Sequence, residues 1–167
     1  MSNTTEEAVI NEAEALNQET VSSTESNVTE EAKELTPEEK LSELQAKRMG
    51  TFKVELSHSD ATYFRNTLDK SVYRGPQQAY LLIISKLEIS QICEALKGAS
   101  KESRHSVDIT AATIESVSYF LNNREGIGAD SAQKLFAASM VLRPAIGEIN
   151  RLDSEIEEFR KSLELGK

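Results

Sequence analysis

Two imidazoles, one thiol and a scatter of carboxylates are the side chains here best suited to acid–base, nucleophilic or metal chemistry. His58 and His105 lie far apart in sequence, and neither falls in an H-E-x-x-H or related spacing. His58 follows a helix cap at Ser57 and His105 sits in a polar stretch, so both read as solvated rather than ligating. Cys93 lies in an apolar run beside Ile92 and one turn after Ile89, with no cation adjoining it in sequence. Such a thiol behaves as a small hydrophobe, because reactive cysteines need an electropositive, accessible setting. A single cysteine excludes an internal disulfide, and with two histidines it excludes the usual zinc frameworks. No pair of carboxylates stands in the apolar surroundings that would drive their pKa values apart. Nucleophile, base and oxyanion donor are all missing from the pattern, so the chain reads as non-enzymatic, with no cofactor and no metal site.

Two helix starts could attract an anion through their free amides. The loop Gly126-Ile127-Gly128-Ala129-Asp130-Ser131 precedes a helix that carries Lys134. It lacks the G-x-x-x-x-G-K-[ST] spacing, no strand leads into it, and Asp130 places negative charge where a phosphate would sit. It reads as a connector. Arg74-Gly75-Pro76-Gln77-Gln78 has no acidic cap, which makes Arg74 and Gly75 the better candidates for anion contact.

The elements that must position these groups divide by charge. The 167 residues carry 28 acidic and 19 basic side chains, a formal net charge of −9. Residues 1–46 hold twelve Glu and two Lys, whereas residues 47–105 hold ten basic and six acidic groups. All nine aromatics lie between Phe52 and Phe159. A segment without aromatics and rich in Glu, Ser, Thr and Asn cannot offset its ordering entropy, so 1–35 is expected to be a disordered acidic tail. No apolar run approaches a membrane span, and the N-terminus lacks the basic–apolar–small order of a signal peptide. A cytoplasmic location is the default expectation.

A mainly α fold is expected beyond the tail. Thr36-Pro37-Glu38-Glu39 is a capping box that opens a short helix or linker over 36–50, ended by Gly50. A helical domain over 51–147 should follow. Thr51 to Leu56 alternates, with Phe52, Val54 and Leu56 on one face, and gives the only strand signal. Ser57-His58-Ser59-Asp60 caps a helix over about 58–72, and Pro76 opens an apolar helix over 77–97 that should touch neighbours on several sides. Residues 99–107 read as a polar loop, and Asp108 or Thr110 caps the next helix. The last helix should be long, about 131–165, with a kink near Pro144 and Gly147. No internal repeat is apparent.

The order of alternating strand, capped helix, Gly-containing turn and second helix resembles the ribbon-helix-helix DNA-binding family over about 51–88. In that family two chains pair their strands and the outward strand residues enter the major groove. The resemblance would place Thr51, Lys53 and Glu55 toward DNA and the helix start at Gly75 to Gln78 near phosphate. Lys101 and Arg104 add to the basic middle segment. A dimeric nucleic-acid-binding protein, with the acidic tail as competitor, is therefore the alternative function.

The leading expectation is an interaction or assembly protein that self-associates or binds a protein partner, without membrane contact. It rests on residues 148–167. There the apolar stripe Ile149, Leu152, Ile156, Phe159 and Leu163 narrows to two seam positions per heptad, a coiled-coil pattern in need of a partner.

Overall fold

The computed structural model describes residues 35–165. The tail expected over 1–35 falls, except for Leu35, outside the described residues. The chain forms α1 (Pro37–Met49), β1 (Thr51–Leu56), α2 (His58–Asp69), α3 (Gly75–Ala95), β2 (His105–Thr110), α4 (Ala111–Asn122) and α5 (Ala129–Leu165). The class is mainly α, as the periodicity predicts. The capping boxes at Thr36 with Glu39 and at Ser57 with Asp60 both form. Hydrogen bonds from the Thr36 amide and hydroxyl hold the Glu39 carboxyl below its ordinary pKa. Residue Pro144 lies inside α5, which continues through it as one helix to Leu165.

The strand expected at 51–56 is present and pairs antiparallel with a second strand, from Thr51 opposite Thr110 to Leu56 opposite His105. Residues 105–107, expected in a loop, instead open the strand β2. Its alternation is weak because only Val107 and Ile109 are apolar among its inward positions, and His105 at the end is exposed. Phe52, Val54, Leu56 and Ile109 form one buried face, which Phe64 and Leu68 of α2 and Ile114 and Val117 of α4 join in a single core. A two-stranded ribbon is marginal by itself in water and depends on such cover.

The order β-α-α occurs twice. Adding 53 to a residue number carries the cap Ser57 to the cap Thr110 and α2 onto α4, both of 12 residues. It also carries Gly75 to Gly128, the two glycines with left-handed φ, at 79° and 87°. Every buried residue of α2 falls on a buried residue of α4: Ala61 on Ile114, Phe64 on Val117, Thr67 on Phe120 and Leu68 on Leu121. Farther on, Ser85 falls on Ala138, Ile89 on Leu142, Ile92 on Ala145 and Leu96 on Ile149, all buried. Val54 falls on Val107, its own partner across the ribbon, so a pseudo-twofold axis passes through that pair. The expectation of no internal repeat is thereby corrected. The repeat is one of burial and backbone conformation, which identity alone does not reveal.

Where the halves differ, they compensate. Asp60 accepts hydrogen bonds from the Ser57 amide at 3.1 Å and hydroxyl at 2.8 Å. Its equivalent, Thr113, has no carboxylate. Glu88 of α3 instead accepts from the Thr110 amide at 2.8 Å and hydroxyl at 2.6 Å, tying one half of the chain to the other. Replacing Glu88 by Ala should cost about 2 kcal/mol in urea unfolding, because two partly buried donors then lose a charged acceptor. Ser85 is fully buried and its hydroxyl has no partner among the described residues. Replacing Ser85 by Ala, the residue its equivalent position already carries, should raise stability by about 1 kcal/mol in the same assay.

Candidate functional site

The stripe on α5 finds its cover within the chain. Ile149, Leu152 and Ile156 are 1%, 5% and 7% exposed, while Phe159 and Leu163 are half-buried. The α1 helix lies along α5, with Leu44 packed against the core. Arg48 fastens it. Its Nε donates to Asp153 at 2.7 Å, and its second guanidinium nitrogen donates to Glu115 of α4. The hydrogen bond to Asp153 raises the Arg48 pKa further, against the opposing effect of burial.

The outward face of the ribbon holds Thr51, Lys53 and Glu55 beside Ser106 and Asp108, all exposed. Lys53 stands opposite Asp108 and Glu55 opposite Ser106, so one cation shares this face with two carboxylates. The other basic candidates lie outside the two strands. The Lys101 carbonyl accepts from the Ser59 amide at the start of α2, and Arg104 directly precedes β2. Arg74 and Gly75 lie past the far end of α2, a helix of 12 residues, or about 18 Å at the standard rise. His58 is half-buried and His105 exposed. Burial pushes the Cys93 thiol up, with Arg65 opposing. Among the described residues no group of three or more His, Cys, Asp or Glu is placed to hold a metal ion. No helix of the described residues is long and apolar enough to cross a membrane.

A different surface, without a signal in the periodicity, lies on α3. The α3 helix is apolar on two sides, and only one is covered. Ser85, Ile89, Ile92 and Cys93 face the core. On the opposite side Tyr80, Ile83 and Leu87 follow at intervals of three and four residues and are 64%, 59% and 60% exposed. The expectation that this helix touches neighbours on several sides fails there. The repeat places Phe136 and Met140, both exposed, at the equivalents of Ile83 and Leu87 on α5. Tyr80, Ile83 and Leu87 thus form one contiguous exposed apolar row and not singly scattered residues.

The charges beside the α3 face are neutralised locally. Lys86 pairs with Asp69, and Lys97 pairs with Glu94. Gln77 and Gln91 complete the exposed side without charge. Comparison with models of known protein families, with curated proteins and with solved structures finds no match to this chain.

Arg48 adds a polar fastening to the apolar packing of α1, which has no fully buried residue of its own. Replacing Arg48 by Ala should cost about 1 kcal/mol, since both carboxylates are half-exposed and screened. Amide hydrogen exchange within 37–49 should accelerate while the ribbon amides stay protected.

Proposed function

We propose that this chain is a non-catalytic interaction protein that self-associates through the outer face of α3. The observation that supports this reading most directly is the row Tyr80, Ile83, Leu87, with half-buried Ile84 beside it. The row is self-complementary. Two copies of α3 crossing antiparallel about a point between Ile83 and Ile84 set Tyr80 of each against Leu87 of the other. Such a contact is isologous, so any net charge on the face would meet itself. The pairing of Lys86 with Asp69 and of Lys97 with Glu94 removes that penalty. Large side chains at the centre of such a contact supply most of its energy by leaving water.

Nucleic-acid binding ranks second. The strand–helix–helix order favours it, and the ribbon that the resemblance assigns to two chains is formed here by one. The outward ribbon face opposes it, because Glu55 and Asp108 outnumber Lys53 where a phosphate backbone demands a positive footprint.

Light scattering of the full chain should give the mass of a dimer. The double substitution Ile83→Glu/Leu87→Glu should give a monomer with an unchanged helical signal. Its unfolding free energy should stay within about 0.5 kcal/mol of the wild type when both are measured dilute enough for the wild type to be monomeric, because both sites are exposed in the single chain. A monomeric wild-type protein at high micromolar concentration would sink the self-association reading. Salt-sensitive binding of duplex DNA by that monomer would move the second reading into first place.

A further inference from the structure

The loops that join α2 to α3 and α4 to α5 enclose an open pocket of about 740 Å³, built from both halves of the repeat. We propose that this pocket binds a phosphate monoester carried on a small organic body.

Three cations line it: Lys70, Arg74 and Arg124. None of them is within ion-pair distance of a carboxylate among the described residues, although Glu125 lines the same pocket. Its lining therefore carries a net charge of +2, on a chain whose overall charge is −9. A structural need shared by the two loops does not explain these cations. Position 70 corresponds to Asn123 and position 124 to Ser71, so each half contributes its cation at a place where the other has none.

Arg124 is held ready. Its Nη1 donates to Thr67 Oγ1 at 2.8 Å, and its guanidinium carbon lies 5.2 Å from the centroid of the Tyr63 ring. Those contacts use one donor and one face of a group with five N–H donors, whose fork matches an oxyanion. Arg74 and Lys70 are exposed and make no side-chain hydrogen bond or ion pair with the described residues, so both can close on a ligand. Gln78 is oriented from two sides: its Oε1 accepts from the Arg74 amide at 2.7 Å, and its Nε2 donates to the Tyr119 hydroxyl at 3.3 Å.

The size of the pocket sets the rest of the ligand. It lies in the range of about 300–1,000 Å³ typical of small-molecule sites and far exceeds a bare oxyanion. Tyr119 and Phe120 meet edge to face, with ring centroids 5.3 Å apart, and Val72 adds a further apolar wall. These groups can cover a flat or apolar body while the cations hold its phosphate. The site is separate from the outer face of α3, and its occupancy does not depend on self-association.

The test titrates adenosine monophosphate, inorganic phosphate and adenosine into the full-length protein, followed by amide chemical shifts. Adenosine monophosphate should give saturable shifts confined to 67–78 and 119–125, with a dissociation constant of about 1 mM or tighter at low salt. Inorganic phosphate should move the same amides more weakly, and adenosine should not saturate. The double substitution Lys70→Gln/Arg74→Gln should weaken the nucleotide at least about tenfold, since charge-assisted hydrogen bonds are lost. Both residues lack tertiary side-chain partners, so the fold is unaffected. Arg124→Gln should weaken it as well, with unfolding measured alongside because Arg124 also holds Thr67. Equal binding of adenosine, equal binding of phosphate, or unchanged affinity in the double variant overturns the proposal. Shifts spread over remote cations such as Lys101, Arg104 and Arg160 overturn it too.

Discussion

A six-residue strand cannot satisfy its own backbone groups, and everything else in this molecule follows from where β1 finds its partner. The partner is β2, about fifty residues later in the same chain. Once the two strands pair, Phe52, Val54 and Leu56 share one face with Ile109, and that face must leave water. The α2 and α4 helices close over it from either side of the axis through Val54 and Val107. Both helices start immediately after their strands, with caps at Ser57 and Thr110 that turn the chain sharply at equivalent points. The long helices then start at Gly75 and directly after Gly128, the two positions where a left-handed φ is needed that other residues adopt only at a cost.

This constraint also explains why the two halves can diverge so far. Fixed positions are those that bury side chains or set backbone direction. Between them the halves share little beyond Val54 with Val107, Leu68 with Leu121, Gly75 with Gly128, Ala79 with Ala132 and Leu82 with Leu135. Even a cap can be rebuilt, as Glu88 does for Thr110 when Thr113 stands in the place of Asp60. Surfaces are freer still. Tyr80 corresponds to Gln133, so the apolar row on α3 has only a partial counterpart on α5.

Local signals were legible in the residues, and long-range ones were not. Capping boxes at Thr36 and Ser57, the alternation of Phe52, Val54 and Leu56, and the helix punctuated by Pro76 are written within a few neighbouring positions. His105 to Thr110 carries the same alternation, but a histidine and a serine open it, and the strand shows itself only once β1 lies beside it. The α5 stripe narrows as a seam should. What covers it is α1, more than a hundred residues earlier, which packs Leu44 inward and bonds Arg48 to Asp153. Cover from within the chain and cover from a second molecule leave the same stripe, so periodicity alone does not distinguish them. The uncovered face of α3 has the opposite history. Its all-round apolar character predicts burial, and the side left bare is evident only after the neighbours have been placed. The inter-loop pocket was half legible, since Arg74 stood out at a helix start without an acidic cap. Arg124 did not, because nothing in sequence relates it to Lys70.

The pseudo-twofold axis has a consequence for mass action. When a ribbon is shared between two separate chains, each strand must find its partner by diffusion, and the folded fraction falls as the protein is diluted. Here the linking segment keeps the two halves together at an effective concentration of the order of millimolar, whatever the abundance of the protein. The core around Val54 and Val107 therefore persists at any dilution.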